Sequence, residues 1–263
     1  MNQPFFSIIV PTHGRPELLR RAINCIRDNE LDEVEIIVIS DETNKETYLV
    51  AAETLSEYDT FIKRIGANGP AGSRNIGLEM ARGSHVIFLD DDDSFAPGYL
   101  DRAQRYCLEH PQKVIYVNYK VIEENRADRN FIEKTSTVSV ANEKLEEIYV
   151  KNFIHNHTCI FPLHAVKNKK QDVHLASLDD WDFLLNVLAH TEFIHVDIQG
   201  PIIYKDYINR GNRRGTTSGA TGTMVILDYL HIYRRWPAPS LELKLKRQNL
   251  LKSVGLEVPI EWL

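Results

Sequence analysis

The chain has 263 residues, 43% of them hydrophobic and 26% charged, which is enough apolar material for one sizeable globular domain with an appendage. Its formal net charge of -6 and pI near 5.9 exclude the broad basic surface that neutralises nucleic-acid phosphates, so no nucleic-acid partner is expected. Three scattered cysteines, Cys25, Cys107 and Cys159, lack metal-ligand spacing and suit core positions in a reducing compartment.

Met1-Asn2-Gln3-Pro4 leads directly into apolar Phe5 to Val10, without the cationic region and cleavage site of a secretory leader. No apolar run reaches bilayer-spanning length, and a cytoplasmic location is expected. Short β-branched runs then alternate with segments of helical period, the pattern of βα units feeding a parallel sheet. The runs predict strands at Phe6 to Val10, Glu35 to Ile39, Phe61 to Ile65 and His85 to Leu89. Helices are expected at Pro16 to Arg27, Asn44 to Glu57 and Ala71 to Arg82, the first with Leu19, Ala22, Ile23 and Ile26 on one apolar face. Further on, strands are expected at Val114 to Val121, Thr158 to Phe161 and Ile202 to Tyr207, and helices at Asn142 to Val150 and Asp180 to His190. The fold class is therefore α/β, with a mainly parallel sheet, helices on both faces and a helical C-terminal tail. The expected division is a domain over 1–222, with a nucleotide-binding half (1–118) and an acceptor-side half (119–222), followed by a helical extension over 223–263.

Ligands of open α/β sheets gather at the carboxyl ends of the strands, and the chemistry-bearing residues fall in those loops. Asp90-Asp91-Asp92-Asp93 follows the fourth strand directly. Four adjacent carboxylates repel one another unless a cation relieves them, and a divalent ion that also binds phosphate oxygens fits such a run. A solvated acidic turn near a helix N-terminus is the competing reading. Asn68 to Gly77 is a tight turn entering a helix, whose free N–H groups and Arg74 suit an anion, although taken on its own it reads better as ordinary turn chemistry with a surface arginine. Gly77 reads as a close-packing position against the sheet. Leu178-Asp179-Asp180-Trp181-Asp182 reads, from its residues alone, as an Asp-rich helix start.

Taken together and in order, these blocks resemble the family 2 glycosyltransferases of the GT-A fold. Phe6 to Arg15 is similar to the opening strand and loop, Ile36 to Asp41 to the second strand with its base-recognising aspartate, and Gly69 to Gly77 to the segment upstream of the metal motif. Phe88 to Asp93 with Pro97 and Leu100 resembles the Asp-X-Asp block, and Leu178 to Asp182 the motif holding the catalytic base. The likeness covers about the first 205 residues. It implies that Pro11, His13, Arg15 and Asp41 border the nucleoside, with Asp41 accepting from a base N–H such as uracil N3. It further implies Asp90 and Asp91 toward the ribose and metal shell, Asp92 as direct metal ligand, Arg74 near the nucleotide and Asp180 as general base. His13-Gly14 stands where the family usually has Tyr-Asn, while Asp41 keeps its register, which favours a uridine donor.

The activity so implied is a metal-dependent, inverting transfer of sugar from a nucleotide-diphosphate donor, with Mn²⁺ or Mg²⁺, to a hydroxyl of a glycan or lipid-linked acceptor, as in surface polysaccharide assembly. Two alternatives stand beside it: a nucleotidyltransferase that makes nucleotide sugars, and a non-catalytic sugar-nucleotide binding protein. Arg210 to Ser218 is either a lid whose arginines grip the diphosphate or a solvated loop. His155, Asn156 and His157 either line the acceptor pocket or are packed. The basic, leucine-bearing tail either packs on its own domain or a second subunit, or rests peripherally on the inner face of the cytoplasmic membrane.

Overall fold

The protein is described by a computed structural model covering residues 3–42, 44–126, 132–175, 177–206 and 222–263; the Arg210 to Ser218 loop lies outside the described residues. The first half runs β1 (Phe6–His13), α1 (Pro16–Arg27), β2 (Val34–Glu42), α2 (Lys45–Thr54), β3 (Thr60–Lys63), α3 (Pro70–Met80) and β4 (His85–Phe88). Three of these strands flank or pair with β1 or β2 in parallel, as short βα units require. The second half comprises β5 (Ser94–Phe95), α4 (Tyr99–Glu109), β6 (Val114–Glu124), β7 (Ile132–Val138), β8 (Cys159–Pro162), α5 (Leu163–Val166), α6 (Asp179–Leu188) and β9 (Phe193–Asp206). The tail adds α7 (Gly222–Arg235) and α8 (Leu241–Ser253).

All described strands join one sheet, in the order β3-β2-β1-β4-β8-β6-β9-β5, with β7 on β6. Successive side chains of a strand point to opposite faces, and β1, buried from Phe6 to Thr12, uses both. Ile8 and Val10 pack with Leu19, Ala22 and Ile23 of α1 and Leu100 and Ala103 of α4. Ile9 faces the other way, toward Leu78 of α3, Trp181 and Phe183 of α6, and Tyr233 of α7. The tail thus enters the same apolar cluster as the sheet, through Ile232, Tyr233, Leu251, Val258 and Leu263. Cys107 and Cys159 are buried and Cys25 half-buried, all as free thiols. Among the described residues no helix is long and apolar enough to cross a membrane.

Four elements differ from expectation. Asn142 to Val150 forms only a short 3-10 helix at Leu145–Tyr149, anchored where Trp181 Nε1 donates to Ile148 O (2.7 Å). The strand expected at Ile202 to Tyr207 is the second half of a longer one that begins at Phe193; Tyr207 lies outside the described residues. Gly200-Pro201 sits inside β9 where its register on β6 shifts between Val117 and Lys120. A Cβ at Gly200 would lie 2.5 Å from Val117 Cγ2, so the irregularity demands glycine. The two-residue β5 and the edge strand β7 carry too little pattern to be anticipated.

Candidate active site

Parallel pairing brings the carboxyl ends of β1, β2 and β4 side by side, and the acidic run extends from the last of these. Asp91 is fully buried and acts inward: Thr12 Oγ1 donates to its Oδ2 (2.6 Å) and the Arg15 guanidinium pairs with its Oδ1. Asp92 turns to a different set, accepting from Arg15 Nη1 (3.1 Å) and Arg126 Nη2 (2.8 Å). Its backbone carbonyl accepts from Arg21 Nη2 (2.6 Å), while that guanidinium lies over the Tyr204 ring and pairs with Glu124 (2.9 Å). Asp91 and Asp92 are therefore wrapped by three arginines, of which only Arg15 stands out in sequence. Arg21 is spaced like an ordinary helix surface residue, and Arg126 follows a strand end.

Asp41 closes β2. Its Oδ1 bonds His13 Nδ1 (2.7 Å), and its Oδ2 accepts from Gly69 N (2.8 Å) and Arg64 Nη2 (3.3 Å). His13 Nε2 reaches Glu42 (2.8 Å), and Pro11 is buried in β1 opposite Ile39. Gly69 has φ of 141°, a conformation that favours glycine, so Asp41 secures the turn that starts α3. Arg64 reinforces the same turn through Gly69 O (2.8 Å), Ala67 O (2.7 Å) and Ser73 Oγ (2.8 Å). Sequence reasoning overlooks Arg64, which looks like a strand-end surface residue.

Buried Arg74, on the first turns of α3, joins two acidic blocks that lie about ninety positions apart in the chain. Its Nη2 donates to Asp90 Oδ1 (2.6 Å) and its Nη1 lies 3.4 Å from Asp179 Oδ2 and 3.3 Å from Gln171 Oε1. Asp180, next to Asp179, accepts from Trp181 N (2.7 Å). Burial, and after it the negative charge of Asp179, pushes the Asp180 carboxyl up to about 7, against the opposing pull of Arg74. A carboxyl poised there can take or give a proton near neutrality. Asp182 does unrelated work, binding Arg235 of α7 (2.7 Å) and Nε1 of Trp236 just after it (2.8 Å).

The fourth carboxylate, Asp93, is buried, with its Oδ1 accepting from Tyr204 N (3.0 Å). Burial raises its pKa well above the usual range, with Asp92 and Asp90 adding to the effect. Because β8 lies antiparallel beside β4, the residues leading into it return to the acidic run, and His157 Nε2 comes 3.7 Å from Asp93 Oδ2. Asp90, Asp93 and His157 each offer a ligand atom, and these atoms lie within 4.8 Å of one another. Two carboxylates and an imidazole in a polar, charge-strained recess fit a divalent cation.

The profile of the family described as Glycosyl transferase family 2 matches residues 7–169. A Haemophilus influenzae protein described as an uncharacterized glycosyltransferase is 26% identical over 85% of this chain and 75% of its own length. The GalNAc(5)-diNAcBac-PP-undecaprenol beta-1,3-glucosyltransferase of Campylobacter jejuni is 33% identical over 52% of this chain and 46% of its own. In fold, the chain is similar to the crystal structure of S. aureus TarS in complex with UDP-GlcNAc, with TM-score 0.68, 20% identity, and coverage of 94% of this chain and 71% of that one. The mixed, mainly parallel sheet with helices on both faces is the GT-A fold. With the family profile spanning more than half its length, the chain belongs to glycosyl transferase family 2 and is a glycosyltransferase.

Proposed function

We propose that the protein is a metal-dependent, inverting enzyme that transfers a sugar from a nucleotide-diphosphate donor, UDP by preference, to a hydroxyl of a glycan or lipid-linked acceptor. The observation that carries this reading is the Arg74 bridge: one buried guanidinium contacts Asp90 of the donor-side run and Asp179 of the acceptor-side cluster. That contact supports a reading in which the proton acceptor next to Asp179 and a diphosphate site beside Asp90 lie close together, as a single displacement needs.

In this scheme Asp180 takes the proton of the acceptor hydroxyl while its oxygen bonds to the anomeric carbon and the bond to the diphosphate breaks on the opposite face. That geometry inverts the anomeric centre. Pro11, His13 and Asp41 border the nucleoside. Arg15 and Arg74, already fixed among carboxylates, supply cationic charge beside the phosphates. A divalent cation, Mn²⁺ or Mg²⁺, held on the acidic run would offset the charge that grows on the departing diphosphate. Asp90 and Asp93 are the carboxylates beside His157, while Asp92 becomes a ligand if Arg15 and Arg126 yield it. The names of two relatives, a glucosyltransferase for an undecaprenol-linked glycan and a poly(ribitol-phosphate) beta-N-acetylglucosaminyltransferase, support surface-glycan assembly at the inner face of the cytoplasmic membrane as the setting.

Thermal unfolding with a panel of nucleoside diphosphates and nucleotide sugars, with and without Mn²⁺, tests the donor. Stabilisation by UDP and UDP-sugars that requires metal is expected, about 2.7 kcal/mol at a hundredfold excess over Kd. Stabilisation by guanosine or thymidine nucleotides alone, or none that depends on metal, refutes the assignment. Asp180→Asn should keep the donor-induced shift and lose transfer; transfer at the parental rate removes Asp180 as base.

A further inference from the structure

We infer that His157 is a protein ligand of the divalent cation, in one set with Asp90 and Asp93, and that its imidazole biases the site toward Mn²⁺ over Mg²⁺. The inference rests on the metal-dependent reading above and deepens it by naming a ligand outside the acidic run.

His157 Nε2 is buried and has no hydrogen-bond partner among the described residues. Buried ring nitrogens are ordinarily bonded to protein or water, so one left without a partner beside two carboxylates calls for an occupant. The spacing suits a small ion. Ligands at about 2.1 Å from a six-coordinate ion sit roughly 3 Å apart when adjacent and about 4.2 Å apart when opposite. The atoms offered by Asp90, Asp93 and His157 fall within 4.8 Å, so a shift of a few tenths of an ångström would bring them to bonding range.

The ring is also held in place. His155 stacks parallel to it, with centroids 5.4 Å apart and planes at 4°, and His155 in turn meets Tyr119 edge-on at 4.9 Å. The backbone between them is fixed by Thr158, whose N and Oγ1 donate to His155 O at 2.9 and 2.7 Å. Asp93 is oriented from its other oxygen by Tyr204 N, and Asp90 by Arg74. Such supporting contacts are what aim metal ligands. Asp92, by contrast, is committed to Arg15 and Arg126. Imidazole suits Mn²⁺ better than Mg²⁺, which demands oxygen ligands and keeps its waters.

The whole chain loaded with Mn²⁺, alone and with UDP, is to be examined by electron spin-echo envelope modulation. The expected result is ¹⁴N modulation from one directly bound imidazole, and tighter binding of Mn²⁺ than of Mg²⁺ by titration. His157→Gln should abolish the modulation and weaken Mn²⁺ binding by roughly tenfold or more, with a far-ultraviolet circular dichroism spectrum to verify folding. If that variant does not fold, His157→Asn carries the same comparison. Bound Mn²⁺ without ¹⁴N modulation, or with modulation that survives in His157→Gln, overturns the inference and leaves the metal-dependent reading standing. No Mn²⁺ binding under either condition overturns both.

Discussion

Asp179 and Asp180 are adjacent carboxyls at the start of α6, both raised in pKa by burial, and Arg74 is the cation that tempers them. Asp180 as base must be ionised, so kcat/KM should rise with pH through a limb near 7, the value to which its surroundings push it, and level off above. The limb belongs to the pair, because such close carboxyls titrate together. Asp179→Asn removes the negative neighbour that raises Asp180, so the limb should move to lower pH; a pH–rate profile that stays in place would refute the coupling. The place of these residues at a helix start is legible in the sequence, because an Asp-rich turn precedes a segment of helical period. Their partners are not legible. Arg74 meets Asp179, and His157 meets Asp93, only because β8 and α6 come back beside β4, and nothing local to either residue encodes that return.

At the level of elements, α3 shows how close packing and chemistry share a segment. A Cβ at Gly77 would stand 2.3 Å from Ile9 Cγ2, and Ile9 is fully buried in β1, so neither side has room to give. Gly77→Ala should cost about 1–3 kcal/mol as an overpacked site, read as a lower denaturation midpoint. Because α3 carries Arg74, lifting the helix would also part the Arg74 contacts to Asp90 and Asp179, and transfer should fall more than stability alone explains. Unchanged activity at a temperature where the variant is fully folded would separate the two roles. The βα half of the fold is legible because strand and helix periods differ and each unit carries its own apolar face: α1 runs from Pro16 to Arg27 in structure as in pattern. The second half is harder to read. β9 is interrupted by Gly200-Pro201 and β5 has two residues, so tertiary pairing, not local periodicity, defines them.

For the molecule as a whole, the tail is tied to the catalytic fold by a buried cation. Arg247 in α8 is fully buried, and its guanidinium donates to Tyr149 O (2.7 Å), Tyr233 O (3.3 Å), Leu263 O (3.0 Å) and Trp236 O (2.7 Å) while lying over the Tyr233 ring. Burial lowers its pKa to about 10, which still leaves it cationic at neutral pH. One side chain thus gathers α8, the end of α7, the 3-10 helix at Leu145–Tyr149 and the terminal Leu263. The same 3-10 helix supports Trp181 through Ile148 O, one residue from Asp180, so the tail and the candidate base share a foundation. Arg247→Met keeps the volume and removes the donors, stranding buried carbonyls at about 1–3 kcal/mol each before relaxation. A loss on the order of 3 kcal/mol is expected, or roughly 6–12 °C in Tm for a chain of this size. Because four carbonyls on three segments lose their common donor, protease should also cut the tail earlier than in the parent. A variant that melts and resists cleavage like the parent would mean that the apolar cluster of Ile232, Leu251 and Leu263 alone holds the tail to the sheet.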